Sequence, residues 1–308
     1  MRIHEEVEGW YKIEAIKPDG SRRVLADWFP NLITDAGLEY MGDGADWMRY
    51  CKVGSGSTTQ SVLDTALAAR IASSDLQQAT ASGAQSTEPY YAWRRRTVRF
   101  AEGVAAGNLS EVGMGWASEG SLFSRALILD SEGDPTTITV AADEILDVTY
   151  EFRFYPKTTD DTGSVILSGN IGGEYNYVMR ASAVTSSSTV GGWATDEWGI
   201  SMGSAGPFKR CTAFSGDIGE ITGAPSGSSQ YVSFASLGYE AASLERKFVA
   251  TFGPNDANIA GGIRSFQMKM GVGSFQFRVG LEGTDAPIPK TDQDELSLTF
   301  MHSWGRRA

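Results

Sequence analysis

Asp143-Glu144-Ile145-Leu146-Asp147-Val148-Thr149-Tyr150 sets an acidic pair before alternating apolar and polar residues, and Asp294-Glu295-Leu296-Ser297-Leu298-Thr299-Phe300 does the same in the other half of the chain. Period-two alternation rich in Val, Ile, Thr and aromatic residues is the pattern of a half-buried β-strand. Further echoes precede each strand in the same order. Thr34-Asp35, Met41-Gly42 and Arg49-Tyr50-Cys51 are answered by Thr195-Asp196, Met202-Gly203 and Arg210-Cys211, and Gly120-Ser121 with Arg125 by Gly273-Ser274 with Arg278. The ordered set reads as a tandem duplication. It predicts that Thr34, Met41, Cys51, Arg125 and Val148 superpose on Thr195, Met202, Cys211, Arg278 and Leu298.

A length of 308 residues suits two domains of about 150 residues, each able to bury its own core. The turn-rich stretch from Pro156 to Gly163 places the boundary, giving domains 1–157 and 158–308. Hydrophobic residues at 41% and charged residues at 21% exclude a disordered chain. The 36 glycines are spread through the sequence, as tight turns between short strands require. A formal charge of −12 opposes a phosphate-binding surface, which needs Lys or Arg to replace counterions, so nucleic acid is not an expected partner. Met1-Arg2-Ile3-His4-Glu5-Glu6 is too charged for a secretory signal, and no apolar run approaches the roughly eighteen residues of a membrane span. Synthesis and folding in the cytoplasm follow. Cys51 and Cys211 hold corresponding places in the two copies, which suits two buried thiols better than one disulfide.

Trp10 to Ile16 and Arg23 to Phe29 flank Pro18-Asp19-Gly20, a hairpin signal. Tyr175 to Ala181 opens the second copy in similar fashion. Leu63, Leu67 and Ile71 recur every four residues and predict one short helix in the first copy. Strands are expected over Tyr91 to Phe100, Ser110 to Trp116, Leu122 to Leu129 and Ile145 to Phe154. Their counterparts are Arg246 to Phe252, Ile263 to Met270, Phe275 to Leu281 and Leu296 to Ser303. The fold class is therefore mainly β: two tandem antiparallel β-sandwiches related by duplication.

Chemistry has little to work with. The two histidines, His4 and His302, stand near opposite ends, leaving no basis for a Ser-His-Asp site or a His-ligated metal. Asp143-Glu144 and Asp294-Glu295 are neighbours on a strand entry, where adjacent side chains point to opposite faces instead of across a sugar. Val53-Gly54-Ser55-Gly56-Ser57-Thr58-Thr59 lacks the Gly-Lys-Thr ending of a phosphate loop. Asp130-Ser131-Glu132-Gly133-Asp134 is too short for an EF-hand and reads as a hairpin turn. No catalytic residue, cofactor or metal is expected. Arg94-Arg95-Arg96, beside Trp93, is the basic run of this acidic chain; it suits either a charged contact with a neighbouring subunit or a strand edge kept soluble. Trp193, Trp198, Tyr231 and Tyr239 suit core packing or stacking on sugar rings.

The run Asn31-Leu32-Ile33-Thr34-Asp35-Ala36-Gly37-Leu38, the loop Val53-Gly54-Ser55-Gly56-Ser57-Thr58 and the segment Asp64-Thr65-Ala66-Leu67 resemble a pattern in tail and tail-fibre-region structural proteins of tailed bacteriophages. The strand from Leu146 to Arg153 is similar to that family's closing strand. The likeness covers roughly residues 9 to 156, whereas the second copy keeps only the skeleton. It implies a non-enzymatic virion component of tail or baseplate, assembled in the host cytoplasm and linking the tail to fibres or host-contacting parts. Expected partners are other tail and baseplate proteins and the chain itself as a homo-oligomer, with a trimer favoured because a symmetric tail repeats one contact about its axis. A host surface glycan is a further expected partner of a tailspike-like module, and a capsid decoration protein is the other alternative.

Overall fold

The computed structural model describes residues 1–43, 46–185, 209–270 and 273–307. The chain is mainly β. It divides into an N-terminal unit of Val7–Ser82, Trp93–Arg153 and Arg306–Ala308, and a C-terminal unit of Met1–Glu6, Gly83–Ala92 and Phe154–Gly305. The main division thus falls at Arg153/Phe154, shortly before the boundary read from the sequence, and short segments are exchanged. The exchange arises because the first strand runs unbroken from Arg2 to Ile16 and passes the division at Glu6.

The N-terminal unit contains β1 (Arg2–Ile16, from Val7), β2 (Arg22–Pro30), β3 (Leu32–Ile33), α1 (Asp35–Asp43), β4 (Tyr50–Gly54), β5 (Arg70–Ser74), β6 (Leu76–Ala84, to Ser82), β7 (Ala92–Phe100, from Trp93), β8 (Gly107–Leu109), β9 (Glu111–Gly115), β10 (Ser124–Leu127), β11 (Ile138–Val140) and β12 (Ile145–Pro156, to Arg153). One layer runs β6-β7-β12-β1 with β2 paired to β1, and the other runs β3-β10-β9-β4-β5. Only Asn31 separates β2 from β3 and only Asp75 separates β5 from β6, so the chain bends from layer to layer at both places. Between the layers lie Tyr11, Ile13, Phe100, Val148, Tyr150 and Phe152 from one side and Cys51, Val53, Val112, Met114 and Phe123 from the other, all essentially inaccessible. Trp47 stacks on Phe123 and meets Phe152 edge-on. Each such aromatic removes a large apolar area from water, and this burial is the main favourable term of the fold.

The helix is α1, not the segment from Leu63 to Ile71. The Thr34 Oγ1 accepts the Gly37 N–H at 2.9 Å, an N-cap that satisfies a free helical donor, and Asp35 adds negative charge at the positive end. Residues 63–69 form a loop wound around Glu111. Its buried carboxylate accepts the N–H groups of Gly56, Ala68 and Ala69 at 3.1, 3.0 and 2.7 Å. Arg125 closes the clamp, donating to Glu111 from Nε at 3.0 Å and Nη2 at 2.8 Å, to Asp64 at 2.7 Å, and to the Thr58 carbonyl and hydroxyl. A Cβ at Gly56 would collide with the Glu111 carboxylate. The four-residue spacing misled because Leu67 alone is buried, while Leu63 and Ile71 face solvent; an uncompensated buried carboxylate outweighs weak helix propensity.

The C-terminal unit contains β13 (Asp161–Leu167), β14 (Gly173–Ala181), β15 (Arg210–Phe214), β16 (Ser229–Ser236), β17 (Glu245–Phe252), β18 (Ser265–Met270), β19 (Gly273–Leu281) and β20 (Leu296–Arg306), in the order β13-β14-β19-β18-β15-β16-β17-β20. The start of β1 lies along β20. Met1 donates to Thr299 O and accepts from Met301 N, the alternating pattern of a parallel pair, so the pairing is not antiparallel throughout.

The units share one hydrogen-bond plan. Cys51 pairs with Met114 as Cys211 pairs with Met268. Ser110 N donates to Gly54 O as Arg264 N does to Phe214 O, and Ile128 N to Ser110 O as Val279 N does to Arg264 O. Ala141 and Thr291 take the same turn, closed by Glu144 and Asp294, and that register carries Val148 onto Leu298. Two sequence pairings need correction. Ser124 faces Met114 and Phe275 faces Met268, so the counterpart of Arg125 is Gln276, not Arg278. Thr34 N donates to Phe123 O as Ser182 N does to Ser274 O, which makes Ser182 the partner of Thr34; Thr195 and Met202 lie outside the described residues.

In the C-terminal unit Glu5 of β1 and His302 of β20 are both wholly buried, with Glu5 Oε2 2.6 Å from His302 Nε2. The remaining Glu5 oxygen and the His302 Nδ1 have no partner. Burial pushes the Glu5 carboxyl up, opposed by His302 and the charge of buried Lys269. His302 lies near the Phe275 and Trp304 rings; the shared register sets it on Phe152 of the other unit.

Glu111→Gln is expected to lose about 3–5 kcal/mol of stability by removing one partner of a buried pair, read as a lower urea midpoint. His302→Phe should destabilise similarly by stranding Glu5, whereas the double variant Glu5→Leu/His302→Phe should return to within about 1 kcal/mol of wild type. Equal losses in the single and double variants would contradict this account.

Candidate functional site

Alternation along the strands sorts the side chains of β7, β12, β1 and β2 into a core face and an outer face. The outer face collects Trp93, Arg95, Thr97 and Arg99 from β7 and Asp147, Thr149, Glu151 and Arg153 from β12. Glu8, Trp10, Lys12 and Glu14 come from β1, and Arg22 and Trp28 from β2. Trp10, Trp28 and Trp93 are all half-buried.

Arginines fill the spaces between these rings. The Arg95 guanidinium lies 4.3 Å from the centre of Trp93 and 5.0 Å from that of Trp28, and its Nε donates to Glu151. Arg153 donates to the other Glu151 oxygen at 2.5 Å and lies 4.7 Å from the Trp10 ring. Arg153 and Arg307 both approach Glu8, at 4.0 and 3.8 Å. Farther along the face, Asp147 accepts from Arg99 at 2.8 Å through both oxygens and from Arg22 at 2.8 Å, while Thr97 and Thr149 share a hydrogen bond. Burial pushes the Asp147 carboxyl up, but the two arginines outweigh it and hold it below its ordinary range. A guanidinium over an indole is attracted to the negative ring face and keeps its planar donors free for a carboxylate. Each tryptophan of the array thus lies against a guanidinium that is bonded to Glu151.

Arg94, Arg95 and Arg96 do not form one surface cluster. Arg95 belongs to the outer face, whereas Arg96 is buried, donating to Asp46 at 2.8 and 3.0 Å and to the Met48 carbonyl at 2.8 Å. Arg94 also faces away from Arg95 and is engaged within the protein. Of the three, Arg95 is the one on the outer face. Trp10, Trp28, Glu151 and Arg153 were not singled out in the sequence; the signals were the alternations Trp10-x-Lys12-x-Glu14 and Glu151-x-Arg153.

The other candidates have internal partners. Glu144 binds Arg23 at 2.9 and 2.7 Å and the Ala141 N–H at 2.9 Å, and Asp294 accepts from the Thr291 N–H and hydroxyl at 2.9 and 2.7 Å. Both carboxylates are turn closures. Asp130 accepts the Glu132 and Asp134 N–H groups, and Gly133 supplies the positive φ of +88° that the turn needs. Cys51 and Cys211 are buried free thiols, each pushed up by burial. Tyr231 is exposed with Arg210 over its ring, and Tyr239 stacks near Trp304; Trp193 and Trp198 lie outside the described residues. Among the described residues no three His, Cys, Asp or Glu side chains gather as a metal set, and no helix is long and apolar enough to cross a membrane. Compared with protein-family models, curated proteins and solved structures, the chain finds no match.

Bonding to Arg23, then the Ala141 N–H, lowers the Glu144 pKa to about 2. A carboxyl depressed in the folded state stabilises the protein above its unfolded pKa of about 4.3, and that contribution is lost as pH falls toward the folded value. Glu144→Gln should therefore lower the thermal midpoint at pH 7, with the gap from wild type closing between about pH 4.3 and pH 2. A gap that stays constant over this window would place the effect elsewhere.

Proposed function

We propose that the chain is a non-enzymatic structural protein of a bacteriophage virion, in the tail or baseplate, joining the tail to fibres or host-contacting parts. The observation that carries this reading is the outer face of the N-terminal unit. Trp and Arg are the side chains that most often dominate protein interfaces, because they bury large areas at fixed geometry. Here three tryptophans are held by two arginines, and the ion pairs binding those arginines are already formed. Lys12, Arg22, Arg95, Arg99 and Arg153 stand against Glu8, Glu14, Asp147 and Glu151, one positive charge in excess on a chain of net −12. Such a face favours an acidic neighbour and steers its approach. The motifs that resemble tail proteins supply the particle. The clamp of Glu111 and Arg125 gives those same motifs a fixed shape, which suits a protein whose work is burial of surface between subunits.

The test combines particle imaging with one double variant. Labelled antibody against the chain should decorate the tail end of virions. Trp93→Ala/Arg95→Ala should fold, by circular dichroism and melting, yet bind tails at least thirty-fold more weakly, corresponding to about 2 kcal/mol for a central interface residue. Purified chain should release no reducing sugar from host surface polysaccharide. Labelling of the capsid would move the protein to the head, and sugar release abolished by Glu144→Gln would make it an enzyme.

A further inference from the structure

Among the described residues, strand β6 is the open margin of its layer, paired to β7 alone. Leu76-Gln77-Gln78-Ala79-Thr80-Ala81-Ser82 is exposed at every position, so both faces of the strand as well as its free edge meet solvent. Isolated edge strands are usually defended against pairing by charge, proline or a bulge. β2, also paired on one side only, has all three: Arg22, Arg23 and Asp27, Pro30, and two register shifts against β1. The seven residues of β6 have none of these defences. Pairing to β7 uses alternate backbone groups, and every second residue turns its N–H and C=O to the free edge, where they offer a template for another strand; the Leu76 N–H is already bonded to the Ser74 hydroxyl at 3.2 Å.

We propose that β6 pairs with β6 of a second copy of this chain, antiparallel about a two-fold axis near Ala79. Charge selects this occupant. Two chains of net −12 repel, and this edge brings no like charges together: Gln78 meets Thr80, Gln77 meets Ala81, and Leu76, half exposed in one copy, covers Ser82 of the next. Each Asp75 falls opposite a Gly83 beyond the paired run. An isologous contact of this kind satisfies the same donors and acceptors in both copies at once. The pairing is independent of the tryptophan and arginine face.

Sedimentation velocity of the full chain should show a dimer at micromolar concentration. Ala79→Lys places a charge at the axis, where its twin lies directly opposite, and should weaken dimerisation at least ten-fold while leaving the melting curve of the protomer cooperative. Because Cys51 and Cys211 are buried, Ala79→Cys offers the accessible thiol, and a short bis-maleimide should join two copies. Trp93→Ala/Arg95→Ala should dimerise like wild type. A wild-type monomer, a dimer indifferent to Ala79→Lys, or an Ala79→Cys variant that does not cross-link would each overturn the self-pairing. So would edge variants that lose only a different virion protein.

Discussion

The N-terminal unit depends on one carboxylate. Glu111 sits on a central strand with no exposure, and a charge in that position is tolerable only when fully bonded. Three backbone N–H groups and a two-toothed guanidinium meet this demand. The consequences spread outward: Gly56 has to lack a Cβ, the Leu63 to Ala69 segment has to wind instead of coiling into a helix, and Arg125 has to carry Asp64 and Thr58 with it. A long irregular connection becomes as fixed as a strand.

The C-terminal unit keeps the ladder and changes the chemistry. Gln276, standing where Arg125 stands, accepts from the Gly219 N–H and donates to the carbonyls of Ala181, Gly219 and Glu220. Ser265, in the place of Glu111, bonds the Gly216 carbonyl. A neutral amide and a hydroxyl hold a loop without burying charge, so desolvation costs less and the loop follows another path. A wholly buried pair of ionisable side chains, Glu5 and His302, lies elsewhere in this unit, where the first strand meets the last.

On the outer face, the array of tryptophans and arginines arises from strand alternation more than from local composition. Three consecutive arginines separate into different environments, because neighbouring residues on a strand face opposite ways. Arg95 then finds its companions on β2 and β12, far away in sequence. The tryptophans are held by guanidiniums that are themselves held by Glu151.

The sequence by itself determined the β class, the strands with clear alternation and the echo between the halves, whereas β6 and β13, rich in small polar residues, are not legible in it. Alternation is a local property, and the turn residues that interrupt it act over a few positions, so Asp143 to Tyr150 and Asp294 to Phe300 were readable as twin strands. It also determined that Cys51 and Cys211 occupy matching places, since both lie beside an Arg or Tyr at the opening of a strand. Tertiary structure alone decided the register, which replaced Arg278 by Gln276 and Thr195 by Ser182 as counterparts; insertions between strands shift spacing without shifting the ladder. It alone decided that residues 63–69 are a loop and no helix, because the Glu111 carboxylate that holds Ala68 and Ala69 lies 43 and 42 residues away in the chain, whereas the Thr34 cap on Gly37 is local. The grouping of Trp10, Trp28, Trp93, Arg95 and Arg153 on one face is of the same kind: four strands separated by long stretches of chain have to pair before those side chains become neighbours.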